Sequence, residues 1–457
     1  MLQIWHSFSA MLRRAAITGA ATGFLFGFDT AVISGTTALL RAQFHLSASA
    51  LGWTVSAALW GTVVGSIVSG RCAQRWGNRT LLRVLAMFYV LSAIACAVSV
   101  SWGWLVGARV LGGLAVGGSS VVGPVYVAEL APPRWRGRMV GMFQVNIVIG
   151  ILIAYLSNYI LERCIHGPDL WRWELGVAFL PALLLLLFLA RVPESPRWLS
   201  TMQRYDEAIC VLREIGSPDP EEQLRLMKIS NAEELKDKQV RLFTWEHRRP
   251  LMIAIALGAF NQLSGINAVL YYLNDIFGAA GFSRLTSSSL AVIVGVMNLV
   301  STGVAVAVID RVGRRRLLII GSIGMSAALA TVALVFFRHS GKAILAGLLG
   351  IYMIFFAISQ GAVIWVYLSE IFPNALRARG QSVGTTTHWM MNAVIANVFP
   401  GLALFGIAVP FAFFATMMLL QLVFVLAFVP ETRGISLEEI STLMSGRRGR
   451  PPYLTQA

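Results

Sequence analysis

The sequence predicts an all-α membrane protein with twelve transmembrane helices in two pseudo-symmetric six-helix bundles. Of its 457 residues, 56% are apolar and only 13% are charged, and the mean hydropathy is +0.69. A soluble domain is about a quarter charged, so the soluble class is excluded. Apolar runs near the length of one crossing, about 20 residues, recur twelve times. Motifs of the first six runs return in the second six.

The first six apolar runs begin after Arg13 and Arg14 and extend to residue 192. They lie near 15–38, 51–70, 81–100, 103–128, 139–160 and 174–192. The first run could be mistaken for a secretory signal, but many further spans follow and a small-residue cleavage motif is absent. We therefore expect a retained first helix. The second six runs lie near 251–274, 286–309, 317–337, 343–369, 381–404 and 408–429.

A charged segment separates the two sets of runs. Residues 193–249 hold 21 of the 59 charged residues, so this stretch cannot cross lipid. Its helical spacing, punctuated by Pro218 and Pro220, favours short amphipathic helices at the membrane surface. The predicted organisation is an N-terminal bundle over 1–192, a cytoplasmic linker over 193–249, a C-terminal bundle over 250–434 and a cytoplasmic tail over 435–457.

The net charge of +15 marks orientation rather than nucleic-acid binding. With the N-terminus inside, 30 basic residues fall in cytoplasmic segments and 6 in outer loops, and Arg109 lies within a span. Positive charge resists translocation, so both termini are predicted to face the cytoplasm. The one Asn-x-Ser/Thr match, at Asn78, lies on the predicted cytoplasmic side, and the first outer loop is short. Both features favour a bacterial inner membrane.

The two halves repeat one another. Four residues recur at a displacement of 241: Tyr126, Glu129, Pro132 and Arg136 return as Tyr367, Glu370, Pro373 and Arg377. The pair Arg75 and Gly77 returns 236 residues later as Arg311 and Gly313. An internal duplication with a site between two halves is the architecture of alternating-access carriers.

Several strings together resemble one known family. They are GFLFGFDTAVISG at 23–35, the stretch from Arg109 to Gly137, PESPR at 193–197, QLSGIN at 262–267, DRVGRR at 310–315, the stretch from Trp365 to Pro373, and PETRG at 430–434. In this order they make the chain similar to the sugar porter family of the major facilitator superfamily over nearly its whole length. Five positions depart from the family pattern: Gln74, Asn78, Asn261, Ala362 and His388.

Asp29 is the one acidic residue well inside a predicted span. A carboxylate near the bilayer midplane is costly and is usually paired or functional. Burial favours its protonated form and a nearby cation favours its ionised form, so a moving partner would switch its protonation. Arg109 is the expected partner, and the resemblance implies the same pair in proton-coupled members of the family. A fixed structural salt bridge or a polar packing contact is the alternative.

The resemblance places neutral polar and aromatic side chains around the sugar, which needs hydroxyl partners and an apolar face. The polar set is Gln144, Gln262, Asn267, Trp365 and Asn392, and the apolar walls are Phe26, Phe356 and Trp389. Interhelical hydrogen bonding and ordinary packing are the alternatives. His388 stands where the family usually has an amide. We interpret it as a sugar contact that reshapes preference rather than as a proton carrier.

Charged residues at the predicted cytoplasmic ends indicate a conformational latch by analogy with the family. The set is Arg75, Glu129, Arg136, Glu194, Arg311, Glu370 and Arg377. A purely topological role for the arginines is the alternative, although it leaves the acids unexplained.

The leading hypothesis is therefore proton-coupled uptake of a monosaccharide, hexose or pentose. Facilitated sugar uniport and proton-coupled transport of an inositol-like polyol are the alternatives. We expect a protein that acts as a monomer in the bilayer, without a cofactor, metal or disulfide framework, because its four cysteines form no CxxC or Cys/His cluster. An enzyme is disfavoured because the spans show no nucleophile or paired carboxylates. A sugar sensor is disfavoured because only 23 residues follow Gly434.

Overall fold

The computed structural model describes residues 8–132, 135–236, 242–372 and 376–433. Within these ranges the side chains of 230–236, 246, 306–311, 369, 377 and 378 lie outside the description. Every regular element in the described ranges is helical. This agrees with the predicted all-α class.

The first half of the chain forms seven helices. They are α1 Ala10–Phe44, α2 Ala48–Trp76, α3 Asn78–Ala97, α4 Trp102–Leu130, α5 Arg136–Cys164, α6 Leu170–Gly176 and α7 Phe179–Leu189. Serine hydroxyls begin three of them, because the oxygens of Ser9, Ser47 and Ser101 accept from backbone N–H groups that have no partner inside the helix. His45, at a φ of 50°, ends α1 in the left-handed conformation.

Three short helices follow in the charged segment: α8 Pro196–Thr201, α9 Tyr205–Glu214 and α10 Pro220–Lys236. Their polar faces carry exposed ion pairs such as Arg204 with Glu207, at 2.6 Å. Their apolar residues, including Leu199 and Leu212, join a buried cluster with residues of α1, α3 and α4. The amphipathic helices of the linker thus bury their apolar faces against the bundle that precedes them.

The described residues of the second half form nine α-helices and a π-helical turn, Ala357–Gly361. The helices are α11 Arg248–Leu263, α12 Ile266–Tyr271, α13 Leu273–Ala279, α14 Arg284–Val312, α15 Arg314–Phe337, α16 Leu345–Phe356, α17 Ala362–Glu370, α18 Arg377–Ala403 and α19 Ala408–Phe428. Short 3₁₀ segments precede α11 and α16.

Eleven helical segments among the described residues are long and apolar enough to cross a membrane. Each overlaps one of the predicted runs, with α6 and α7 forming one segment, α11 and α12 another, and the stretch from Lys342 to Leu368 a third. The remaining predicted run, 381–404, lies in the 27-residue helix α18, which is not among the eleven. Its start is rich in threonine and arginine, which lowers its hydropathy.

The Cα positions group the chain into two compact units. Unit one comprises Met1–Lys236, Asn267–Leu299 and Asn392–Ile407, and unit two comprises Asp237–Ile266, Val300–Met391 and Ala408–Ala457. Parts of α14 and α18 therefore belong to each unit. The boundaries predicted from sequence at 192 and 250 stay predictions.

Candidate functional site

An ion pair in unit one joins α1 to α4. Arg109 Nη1 lies 3.1 Å from Asp29 Oδ1, and Asp29 is near the middle of α1 while Arg109 is in the first third of α4. The Arg109 side chain is 5% exposed and that of Asp29 is 22% exposed, so the cation is the more deeply buried partner. A single N–H to oxygen bond connects them, and Arg109 Nε has no hydrogen-bond partner among the described residues. The two side chains are therefore joined by one hydrogen bond and not by the stronger bidentate arrangement of arginine and carboxylate.

A small cavity opens onto this ion pair. Its walls include the polar groups of Tyr89, Ser92 and Cys96 together with apolar side chains of α1, α3 and the α6–α7 segment. Tyr89 and Ser119 share a hydrogen bond of 3.0 Å, and Ser92 donates to a carbonyl of its neighbouring helix. Asp29 thus has one side toward Arg109 and another toward a cavity.

A second polar cluster lies in unit two, where sequence resemblance places part of the sugar site. Gln262 Nε2 is 3.2 Å from each ring nitrogen of His388. The His388 ring meets Trp365 at 5.1 Å and 60°, and Trp389 at 5.1 Å and 90°. The structure therefore brings together four predicted sugar residues, Gln262, Trp365, His388 and Trp389, as neutral hydrogen-bonding groups beside aromatic rings.

Two further residues of unit two extend this cluster. Asn261, a family departure without a predicted role, accepts at its Oδ1 from Gln262 at 3.0 Å. Gln360, for which no role was predicted, lies in the π-helical turn. Its carbonyl oxygen and Oε1 accept hydrogen bonds from the Asn261 side-chain NH₂ group. The signal available in the sequence was an uncharged polar residue within an apolar run. Phe356 precedes this turn and is half-buried.

The other predicted sugar residues belong to unit one. Asn392 Nδ2 donates to the Tyr271 hydroxyl at 3.1 Å, and its Oδ1 is buried without a partner in the described part of the chain. Gln144 on α5, Asn267 on α12 and Phe26 on α1 are half-buried. No role was predicted for Tyr271 from the sequence, so its contact with Asn392 is new.

The predicted latch acid Glu194 and its second-half counterpart Glu431, which was not predicted as part of the latch, each bind within their own unit. In unit one, Glu194 accepts from the backbone N–H groups of Arg79 at 2.8 Å and Thr80 at 3.3 Å, and so caps the start of α3. In unit two, Glu431 caps α15 in the same way through Arg314 at 2.9 Å and Arg315 at 3.2 Å. A carboxylate at a helix N-terminus is favourable because of the exposed N–H groups and the helix dipole.

A glycine makes room for each cap. Gly77 and Gly313, at φ of 90° and 98°, precede α3 and α15. A Cβ at either position would lie within 3 Å of the capping carboxylate. The glycine of the repeated Arg-x-Gly motif therefore has the same local structural explanation in both halves.

The two remaining latch acids also have matching neighbours. Glu129 receives bonds from the Ser195 hydroxyl at 2.5 Å and the Asn78 amide at 2.6 Å. Glu370 receives bonds from the Thr432 hydroxyl at 2.6 Å and the Arg314 guanidinium at 3.1 Å. The internal repeat of the sequence is thus a repeat of contacts.

The latch arginines do not join these acids where the structure describes them. Arg75 and Arg136 are exposed and form no ion pair with another described residue. The side chains of Arg311 and Arg377, and all of Pro373, lie outside the described residues. The arginine latch therefore stays a prediction.

A charged network that the sequence analysis missed lies at the opposite end of unit one. Arg284, at the start of α14, contacts Glu162 at 3.1 Å and Glu174 at 3.2 Å, and it donates to the Gly35 carbonyl at 3.1 Å. Glu174 is 1% exposed. One arginine therefore fastens α14 to α1, α5 and α6.

Asp275, on α13, lies beside this network. One of its oxygens is buried without a hydrogen-bond partner among the described residues, while Thr37 donates a hydrogen bond to the carboxyl group. Burial raises the pKa of Asp275 to about 6, against the opposing effects of the Thr37 hydrogen bond and the Arg41 charge. Clusters of His, Cys, Asp or Glu with metal-binding geometry are not found in the described ranges.

Comparison with known proteins gives a consistent result. The family model described as "Sugar (and other) transporter" matches residues 15–444. The probable metabolite transport protein CsbC of Bacillus subtilis is 39% identical over 438 residues, covering 94% of each chain. The arabinose-proton symporter of the same organism is 35% identical over 448 residues, covering 96% of each. The inward-open structure of the xylose transporter XylE from E. coli matches with a TM-score of 0.84 and 33% identity, over 94% of this chain and 98% of that one.

Proposed function

Because the chain belongs to the sugar porter family of the major facilitator superfamily, a family of transporters and not of enzymes, we propose that it carries a monosaccharide into the cell together with a proton. The substrate class is a hexose or a pentose. The protein is a multi-pass membrane protein. We place it in a bacterial inner membrane as a functional monomer with both termini in the cytoplasm and with α18 as the twelfth crossing.

The observation that carries the proposal is the pair of Asp29 and Arg109. Arg109 is almost fully buried, and its one described acidic partner is Asp29. Protonation of Asp29 would leave a buried cation without its counter-charge, which costs several kcal/mol. A protein that alternates between two arrangements of this pair therefore binds the proton more tightly in one of them. That difference is what couples a proton gradient to a conformational cycle.

The polar cluster of unit two supports sugar as the cargo. Its members, Gln262, His388 and Trp365, are uncharged donors and acceptors beside aromatic rings. An uncharged, hydroxyl-rich ring needs such groups for its edges and an apolar surface for its C–H face. The relative named as an arabinose-proton symporter agrees with this class of cargo.

The charged groups at the two ends of unit one support alternating access. With both termini inside, the Glu194 cap and the contacts of Glu129 lie at the cytoplasmic end, and the network of Arg284, Glu162 and Glu174 lies at the outer end. Because Arg284 comes from the second half of the sequence and both acids come from the first half, this network closes the outer end. It must open when sugar enters from outside.

Coupling to one proton has a measurable consequence. One charge that moves through about 100 mV yields about 2.3 kcal/mol, which sustains a sugar gradient of roughly 40-fold. A facilitative uniporter reaches only equal concentrations.

Reconstituted vesicles separate these outcomes. We expect the wild-type protein to exchange a labelled monosaccharide in counterflow and to concentrate it under an imposed proton gradient. The variant Asp29→Asn should retain counterflow and lose concentration. Wild-type protein that exchanges sugar but never concentrates it would establish uniport. An Asp29→Asn protein that still concentrates sugar with protons alone would refute coupling through this carboxylate.

A further inference from the structure

The cavity beside Asp29 lies inside unit one, among α1, α3, α4 and the α6–α7 segment. We call it the Asp29 cavity. On α3 its walls run from Tyr89 to Cys96, a rise of about 10 Å along the helix. Cys96 stands one residue before the end of α3. The Asp29 cavity therefore extends from the carboxylate to the last turn of a neighbouring helix.

The end of α3 that the cavity approaches is the outer one in the proposed orientation. Arg172 donates to the carbonyls of Ala97 at 2.9 Å and Ser99 at 2.6 Å, and so fixes this end of α3 to α6. The described walls of the cavity include none of the predicted sugar residues, such as Phe26 and Gln144. The cavity thus leads from Asp29 toward the outer end without passing the sugar residues.

The walls of the Asp29 cavity carry polar groups with unused hydrogen-bonding capacity. Arg109 Nε is buried without a partner among the described residues, on a side chain that is 5% exposed. Such an orphaned donor costs about 1–3 kcal/mol. Ser92 gives its hydroxyl hydrogen to the Ala108 carbonyl at 2.7 Å, so its oxygen is left to accept. Together with the carboxylate oxygens of Asp29, the walls offer a donor and several acceptors.

The size and charge of the cavity fit water. The space open to the centre of a water molecule is about 20 Å³, and about 10–15 Å³ is enough to hold one. A buried water makes two to four hydrogen bonds, which these walls supply. Asp29 and Arg109 already balance each other's charge. An additional ion would be buried without a counter-charge, whereas a neutral ligand carries no such penalty.

We propose that the Asp29 cavity binds water and is the route by which the outer solution supplies the proton to Asp29, apart from the path of the sugar. The inference rests on the proposed proton-coupled transport and its orientation. The bound water transfers one proton to a carboxylate oxygen of Asp29 and takes one proton from the outer solution. The water is regenerated, and only the carboxylate has gained a proton.

Hydroxyl-radical footprinting detects the water independently of transport. Radicals that X-rays generate from a bound water modify the side chains next to it. Tyr89 is 6% exposed and lines the cavity, whereas Tyr155 is 1% exposed and its hydroxyl binds the Leu270 carbonyl at 2.9 Å. In the full-length protein we expect Tyr89 to be modified about tenfold faster than Tyr155, because a buried ring reacts only where water lies beside it.

Filling the cavity tests the route. Ala178 is a half-buried wall residue, and Ala178→Leu adds three carbon atoms there. We expect the variant to lose the excess modification of Tyr89. In reconstituted vesicles, its initial proton uptake with sugar, measured with a pH dye, should fall about tenfold, which corresponds to about 1.4 kcal/mol in the barrier. Counterflow should continue, because sugar exchange by a protonated carrier requires no proton transfer.

Val177→Phe is the matched control. Val177 is the half-buried neighbour of Ala178 and is not among the cavity walls, and the substitution adds four carbon atoms. Its footprint and its proton uptake should equal those of the wild-type protein. If Ala178→Leu does not fold, Ala178→Val fills the cavity with two carbon atoms and should change both measurements in the same direction.

The outcomes separate the route from the proposed function. Wild-type protein that exchanges sugar without taking up protons would refute proton coupling, and the proton route with it. If coupling is found but Tyr89 is modified no faster than Tyr155, the cavity holds no water and the inference is wrong. A filled variant that loses the Tyr89 modification and still takes up protons at the wild-type rate would show that the proton reaches Asp29 by another path.

Discussion

Replacing Arg284 by methionine tests the outer closure most directly. The substitution keeps an unbranched side chain of similar reach and removes the charge that joins α14 to α1, α5 and α6. Glu162 and Glu174 then face one another without a cation. Since Glu174 is 1% exposed, solvent cannot replace the lost partner there.

The size of the effect follows from the distances. At an effective dielectric constant of about 20, each contact near 3.1 Å is worth about 5 kcal/mol before desolvation is subtracted. Arg284 is 32% exposed, so solvent screening reduces this strongly. A net loss of about 2 kcal/mol remains reasonable for a pair with one buried partner. If the contacts exist only in the closed state, this shifts the population toward the outward-open state by about 30-fold.

Cysteine labelling measures that shift. Ser34 on α1 is completely buried beside Gly35, whose carbonyl Arg284 binds. In a background without the four native cysteines, a Ser34→Cys protein is treated in intact cells with a membrane-impermeant maleimide. We expect Arg284→Met to raise the labelling rate by at least tenfold. Counterflow should continue in the same cells.

Two variants control for unfolding and for charge. Arg172 binds Asp169 at 3.0 Å and stacks on Trp171 without contacting α14, so Arg172→Met should leave the labelling rate unchanged. Adding Glu174→Gln to Arg284→Met removes the uncompensated carboxylate and should restore part of the closure. An unchanged labelling rate in an Arg284→Met protein that still exchanges sugar would show that this network does not close the outer end.

Three further predictions use other parts of the structure. Because the pKa of Asp275 is raised to about 6, its ionisation opposes folding as the pH rises from about 4 to 6. The apparent melting temperature of the wild-type protein should therefore fall over that range relative to that of Asp275→Asn. Melting temperatures that change with pH in the same way in both proteins would refute this. Glu194→Gln and Glu431→Gln each weaken a helix cap and should each lower the free energy of unfolding by about 1 kcal/mol. Glu207→Gln, in an exposed ion pair, should lower it by less. Unequal losses of stability at the two caps would contradict their equivalence. His388→Gln should change the preferred sugar while the proton uptake per sugar, measured with a pH dye, stays constant; altered coupling would instead give His388 a proton role.

The ion pair at Asp29 was predictable because burial leaves few alternatives. A carboxylate in the middle of an apolar run requires a partner, and Arg109 is the one basic residue well inside a predicted run, since Arg83 and Arg191 stand at the ends of theirs. The helical runs were predictable for a similar reason, since lipid forces the backbone to satisfy its own hydrogen bonds. The run at 381–404 was also predicted, although the threonine- and arginine-rich start of α18 lowers the hydropathy of that helix.

The contacts of Gln360 and the outer network were not predictable in the same way. An isolated glutamine such as Gln360 is compatible with any interhelical contact, and its partner depends on the rotation of each helix and on the π-helical turn. Arg284, Glu162 and Glu174 each stand near the end of a run, where charges are ordinarily solvated. Only the packing of α14 on α5 and α6 brings them together.

The internal repeat distinguishes the two kinds of charged contact. The caps at Glu194 and Glu431 have equivalent partners in both halves, and each joins residues of one half of the sequence, so a relative motion of the halves does not break them. The acids of the outer network have no such counterparts, because the residues 241 positions after Glu162 and Glu174 are Ala403 and Ala415. The outer network joins the two halves of the duplicated chain and has no equivalent in the repeat. Such a contact can form in one conformational state of the transport cycle and be absent from the other. Mutations at the caps should therefore change stability, and mutations at Arg284 should change which state is populated.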